Sequence, residues 1–109
     1  MISANLYILQ RLTALIMAPL VLGHLAVMIY AVQGGLSASE ILGRTQGSVF
    51  WAIFYALFVF AVSIHAAIGV RTVLFEWVKI RGFFLELLSW GLGLALLVMG
   101  LYSVYAVIA

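Results

Sequence analysis

Residues 12–32 read LTALIMAPLVLGHLAVMIYAV, an uncharged stretch that opens directly after Arg11, and the next charge is Glu40. At ~20 residues it is as long as a helix must be to cross the hydrocarbon of a bilayer. The same reading repeats twice downstream. Thr45–Val70 carries no charge and ends at Arg71, and Phe83–Ala109 is charged only at Glu86, close to its start. Between the first two stretches, Gln33-Gly34-Gly35 and the residues after it read as a loop containing Glu40 and Arg44. Between the last two lies a short polar segment with Arg71, Glu76, Lys79 and Arg81, closed by Gly82. The sequence therefore predicts an all-α integral membrane protein with three transmembrane helices, about residues 8–32, 46–71 and 83–108, in a single domain over 1–109.

Composition requires the same solvent. The 109 residues are 68% hydrophobic and 7% charged, against ~45–50% and ~25% for soluble domains. A water-soluble fold of this size could not hide so much apolar surface. With no Cys, disulfides, Fe–S ligation and thiol chemistry are absent. A net charge of +2 from five basic and three acidic residues is too thin for nucleic acid, which needs a clustered basic face. Arg11 before the first span, and Arg71, Lys79 and Arg81 between the second and third, place the N-terminus and second loop in the cytoplasm. The first loop and the C-terminus then face outward, giving a multi-pass protein of the cell inner (cytoplasmic) membrane. Tyr30, Trp51, Tyr55, Tyr102 and Tyr105 form the expected outer aromatic belt, Trp77 and Trp90 the inner one. Met1–Gln10 has neither the basic start nor the Ala-x-Ala site of a cleavable signal.

Three spans leave little soluble mass for chemistry, and the polar Ser63 and His65 make the second helix a poor lone lipid-facing object, so a partner is expected. Ala52, Ala56, Gly91, Gly93, Ala95 and Gly100 mark candidate close-packing faces. Glu86, near the interface, is expected to sit beside Lys79 or Arg81. The groups at depth are His24 and His65, and an ionisable residue in a span is a functional hypothesis by default. The plain alternative is a neutral imidazole hydrogen-bonded to a neighbouring helix.

The surroundings of His65 favour haem ligation. Ala61 and Gly69 stand four residues before and after it, on its own helix face. Small residues there leave room for a flat macrocycle. Arg71, six residues on, lies ~9 Å along the axis, a fair distance for a haem propionate; alone, Arg71 is equally a positive-inside anchor. His24 follows Gly23 and lies five residues beyond Pro19, which removes a helix hydrogen bond and is expected to bend the first span. Counted from Arg11 and Arg71 as markers of one interface, the two histidines differ in depth by ~10 Å, less the lean of their side chains. That disfavours one iron held by both and fits two haems at different levels, each completed by a partner protein.

His65-Ala-Ala-Ile-Gly69-Val-Arg71, an H-x-x-x-G-x-R element on the second span, resembles the cytochrome b membrane anchor of succinate dehydrogenase and fumarate reductase. Leu9-Gln10-Arg11-Leu12-Thr13-Ala14 resembles that family's H-R-x-S-G segment at the opening of the first span. The similarity runs from about Tyr7 to Trp77; the third span matches only in being apolar. The resemblance implies haem b, a second small membrane-anchor subunit, an iron–sulfur subunit and a flavoprotein subunit, with membrane quinone as the substrate. It implies His65 as axial ligand and Arg11 as the quinone-site and propionate arginine, with Thr13 where the family has a quinone-motif serine. Two positions depart. The family's histidine before the arginine is Gln10, which can still hydrogen-bond a propionate, and its serine four residues before the arginine is Tyr7, which can still donate to a quinone oxygen. Ser3 and Asn5 are candidate substitutes. His24 resembles the first-helix ligand of the family's two-haem members, and both the one-haem and two-haem forms stay open.

The expected function is a haem b-binding anchor of a succinate:quinone oxidoreductase that passes electrons from the iron–sulfur subunit to quinone. The chain is not the catalyst of succinate oxidation, having no dinucleotide-binding glycines and no carboxylate-binding arginine pair; the flavin site belongs to another chain. Two other readings compete. A small multidrug-type transporter would carry a carboxylate deep in the first helix and a fourth span, and the sequence has neither. A haem-free structural component of a respiratory complex would fit the spans equally well. Fumarate reduction is the same machinery run backwards.

Overall fold

The computed structural model describes residues 3–109. Among them four α-helices follow one another: α1 (Ala4–Gly34), α2 (Ala38–Thr45), α3 (Val49–Val73) and α4 (Phe83–Ile108). Among the described residues there is no strand. Three of the helices, α1, α3 with its extension to Val78, and α4, are long and apolar enough to cross a membrane. The protein is thus an all-α, multi-pass membrane protein with three spans.

α3 is the central element, packed against α1 on one side and α4 on the other. Both neighbours run antiparallel to it. Gly23 of α1 faces the Phe54 ring, while Thr13 of α1 reaches His65. On α4, Gly100 faces Val59 and Gly93 faces Ala67. Without a hydrophobic drive between helices in lipid, close backbone approach supplies the packing. Gly93 and Gly100, seven residues apart and so on one face, make that approach: a Cβ on Gly93 would lie 2.8 Å from the Ala67 Cβ, and one on Gly100 2.5 Å from Val59 Cγ1. Gly91, named with them from the sequence, faces open space. Ala67 in that seam is fully buried, as are Ile68 of α3 and Ser89 of α4.

The ends of the spans are finished by polar side chains. Ser3 caps α1, accepting from the Leu6 N–H at 3.2 Å, and Ser48 caps α3 through the Trp51 N–H. α1 passes through Pro19 without interruption. The segment read as a loop after Gln33 contains α2. Ser37 caps it with the Ser-x-x-Glu spacing, its hydroxyl accepting from the Glu40 N–H at 3.2 Å and donating to the Glu40 carboxylate at 2.7 Å. α2 in turn completes α4, whose last carbonyls have no intrahelical partner. Thr45 Oγ1 donates to the Val107 carbonyl at 2.7 Å, the Gly47 N–H to Ile108, and the Gln46 amide to Ala109.

At the other end α3 does not stop at Arg71. It continues to Val73 and then widens into a π-helical turn, Leu74–Val78, that ends at Lys79 in the left-handed conformation (φ 68°). Trp77 there is open to the surroundings and Arg81 lies over the Phe75 ring at 4.7 Å.

Candidate functional site

The structure sorts the sequence-predicted residues into separate groups. The first lies where α1 crosses α3. His65 is half-buried, and its Nδ1 is 3.2 Å from Thr13 Oγ1 and 3.3 Å from the Gln10 carbonyl oxygen. Thr13 is buried and its hydroxyl is also 2.9 Å from the carbonyl oxygens of Leu9 and Gln10. The Gln10 side chain lies along Gly69, its amide nitrogen 3.5 Å from where a Cβ would be. Gly69 thus seats part of α1, and Ala61, four residues before the histidine, is buried.

The second group is a shallow groove on the exposed side of α1, lined by Tyr7, Arg11 and Leu15 among others. The Arg11 guanidinium stands 5.7 Å from the Tyr7 ring centroid, one helical turn away. Thr13 is not in this groove. Two residues along a helix is about 200° of rotation, which turns Thr13 to α3 while Arg11 faces outward. The spacing alone carries that separation.

The third group joins α3 to α4. Arg71 Nη2 and Nε both donate to Glu86 Oε1, at 2.7 and 2.9 Å, and Trp90 Nε1 donates to Oε2 at 2.8 Å. Glu86 therefore meets Arg71, not Lys79 or Arg81 as its position in the sequence suggested. Glu86 occupies two of the five guanidinium N–H donors, and three remain.

The fourth group surrounds His24. Its ring packs on Phe58 at 5.1 Å and edge-on to Tyr55 at 6.4 Å between centroids. It lines a cavity of about 460 Å³ floored by α3 and walled by α1 and α4, to which Thr45, Ser63 and Ser103 also contribute. Such a volume is within the range of small-molecule and cofactor sites. Phe58, Tyr55 and Ser63 escape a sequence reading of this site, because only the packing of three helices brings them to His24. Measured along α3 from Phe58 to His65, the two imidazoles stand about 10 Å apart in level. Among the described residues no three His, Cys, Asp or Glu side chains gather as a metal cluster.

The middle helix of this membrane bundle thus offers a half-buried imidazole to one neighbour and an ion-paired arginine to the other. The chain belongs to the succinate dehydrogenase/fumarate reductase transmembrane subunit family, whose model matches residues 2–109. No curated protein and no solved structure matches it.

Proposed function

We propose that this chain is the haem b-binding membrane anchor of a succinate:quinone oxidoreductase, passing electrons from an iron–sulfur subunit to membrane quinone. It lies in the cell inner membrane with the N-terminus and the 71–81 segment in the cytoplasm and the C-terminus outside. A second small membrane subunit, the iron–sulfur subunit and a flavoprotein complete the assembly.

The observation that carries this reading is the engagement of His65 Nδ1 by α1. A histidine that ligates a metal through one nitrogen almost always hydrogen-bonds through the other. The donor set suits haem: imidazoles on two helices and no thiolate. The level difference between His65 and His24 exceeds what one iron with Fe–N bonds of ~2 Å can bridge, so each histidine would hold its own haem, with a further ligand supplied by a partner subunit. Arg71, with three free N–H donors, and Gln10 would hold propionates. Haem, when bound, supplies a one-electron relay within the membrane.

The remaining work falls to α1. Arg11, exposed on the groove face, donates to a quinone oxygen and stabilises the negative charge that develops there on reduction. Tyr7, beside it in the cation–π contact, donates a hydrogen bond from its phenolic O–H to a quinone oxygen. The reverse direction, fumarate reduction, uses the same groups. The test is a dithionite-reduced-minus-oxidised spectrum of the intact complex with haem quantified. A b-type α-band lost in His65→Ala is expected, and a stoichiometry near two that halves in His24→Ala identifies the two-haem form. A flat spectrum from an intact complex would leave a haem-free structural anchor, the reading favoured by Arg71 having a partner already in Glu86.

A further inference from the structure

The hydrogen-bond geometry around His65 fixes more than its position. Four contacts meet there: Thr13 Oγ1 with Leu9 O and with Gln10 O at 2.9 Å each, Thr13 Oγ1 with His65 Nδ1 at 3.2 Å, and His65 Nδ1 with Gln10 O at 3.3 Å. A threonine hydroxyl has one proton and two lone pairs, and a carbonyl oxygen only accepts. Suppose the hydroxyl donated to Nδ1. The Nδ1 lone pair would then face the Gln10 oxygen with no proton between them, and neither hydroxyl–carbonyl contact would carry one. With the proton on Nδ1, Nδ1–H is shared between Thr13 Oγ1 and Gln10 O, and the hydroxyl keeps its own proton for one of the two backbone carbonyls. Thr13 is only 4% exposed, so water does not compete for this arrangement, and an unmet donor there is costly.

Building on the proposed haem ligation by His65, we infer that Thr13 is a positioning residue. Its hydroxyl, together with the Gln10 carbonyl, locks His65 in the Nδ1–H tautomer and leaves the Nε2 lone pair as the iron donor. This moves Thr13 from the quinone side of α1 to the histidine side, where its burial and its direction on the helix put it. It also explains why Gln10 can replace a histidine at that position: the group that meets His65 is the main-chain carbonyl, which every residue carries. The side chain of residue 10 only fills the space over Gly69.

The test uses the full chain in lipid nanodiscs, with 15N-labelled histidine, and the intact complex. In the wild-type chain the His65 nitrogens should report a single tautomer protonated at Nδ1, the His24 signals being recognised by their loss in His24→Gln. Thr13→Val, nearly the same shape without the hydroxyl, should bring in the Nε2–H tautomer, and Thr13→Ser should restore the wild-type pattern. In the complex, Thr13→Val should weaken haem retention 10- to 100-fold, as loss of a metal ligand's hydrogen-bond partner does, and shift its midpoint potential, while Thr13→Ser does neither. An Nε2–H tautomer in the wild-type chain overturns the inference whatever the variants do. So does Thr13→Val with wild-type tautomer, haem retention and potential. A complex with no His65-dependent haem but a Thr13-dependent Nδ1–H tautomer would refute the haem reading and leave the hydrogen-bond lock standing.

Discussion

The seam between α3 and α4 makes a sharp quantitative demand at Gly93. An alanine there would place its Cβ 2.8 Å from the Ala67 Cβ and 3.4 Å from the Ser63 carbonyl oxygen. Ordinary carbon–carbon contact begins at about 3.5 Å, so the helices must separate by roughly 0.7 Å. Neither obstacle can rotate away: one is a β-carbon, the other main chain. A gap of that size forfeits a quarter to a half of the dispersion energy of each atom pair along the seam, in a setting where dispersion is the main cohesive force between helices. Overpacking of this kind costs about 1–3 kcal/mol, a factor of about 5 to 150 in the folding equilibrium. Gly91→Ala, two residues away and facing open space, removes the same glycine-to-helix entropy without the clash and is the internal control. Unfolding in mixed micelles titrated with SDS, followed by tryptophan fluorescence and far-UV circular dichroism, measures both. Gly93→Ala should unfold at clearly lower SDS than wild type, and Gly91→Ala at the same or higher. If the two variants unfold together, the glycine seam is not what holds α4 to α3.

Ser89→Ala should be neutral or stabilise in the same titration, because the Ser89 hydroxyl is fully buried and has no hydrogen-bond partner among the described residues, a state that costs about 1–3 kcal/mol; a loss of more than about 1 kcal/mol would mean that the hydroxyl is bonded after all. Gly69→Ala should change stability by less than about 0.5 kcal/mol and leave bound haem unchanged, since its Cβ would meet the Gln10 amide at an ordinary 3.5 Å. Haem loss from a well-folded Gly69→Ala complex would instead put the macrocycle against that glycine. Arg11→Ala should depress quinone reduction in the complex far more than haem content, because the side chain lies in the outer groove away from His65; an unchanged quinone-reductase rate would remove Arg11 from the quinone site.

The three spans are legible because charge is scarce and expensive in lipid: the uncharged runs from Arg11 to Glu40, from Arg44 to Arg71 and from Glu86 to Ala109 mark them with little help from propensity. Charge is a poorer guide to where helices end. α3 runs past Arg71 through Glu76, since long side chains near an interface can reach water without ending the helix. The glycines around α2 read as loop, though Ser37-Ala-Ser-Glu40 carries the capping-box spacing that opens a helix. Within the site, residues on one helix face are readable and contacts between helices are not. Tyr7 and Arg11 share a groove as i and i+4 must. No spacing rule could show that the Gln10 carbonyl meets His65, that Arg71 pairs with Glu86, or that Phe58 stands against His24, because each depends on how two helices align in depth.

That alignment has a functional consequence. His65 and Arg71 are six residues apart on α3, so their directions differ by about 120° around the axis, and the structure turns His65 to α1 and Arg71 to α4. α1 and α4 pack on α3 rather than on each other, and the space left between them on the far half of α3 is the cavity that His24 lines. α3 therefore has its imidazole and its guanidinium oriented by different neighbours. α1 sets the imidazole through hydrogen bonds to a hydroxyl and a main-chain carbonyl, and α4 sets the guanidinium through an ion pair. A shift of α4 would move Arg71 while leaving His65 in register with Thr13, and a shift of α1 would do the reverse.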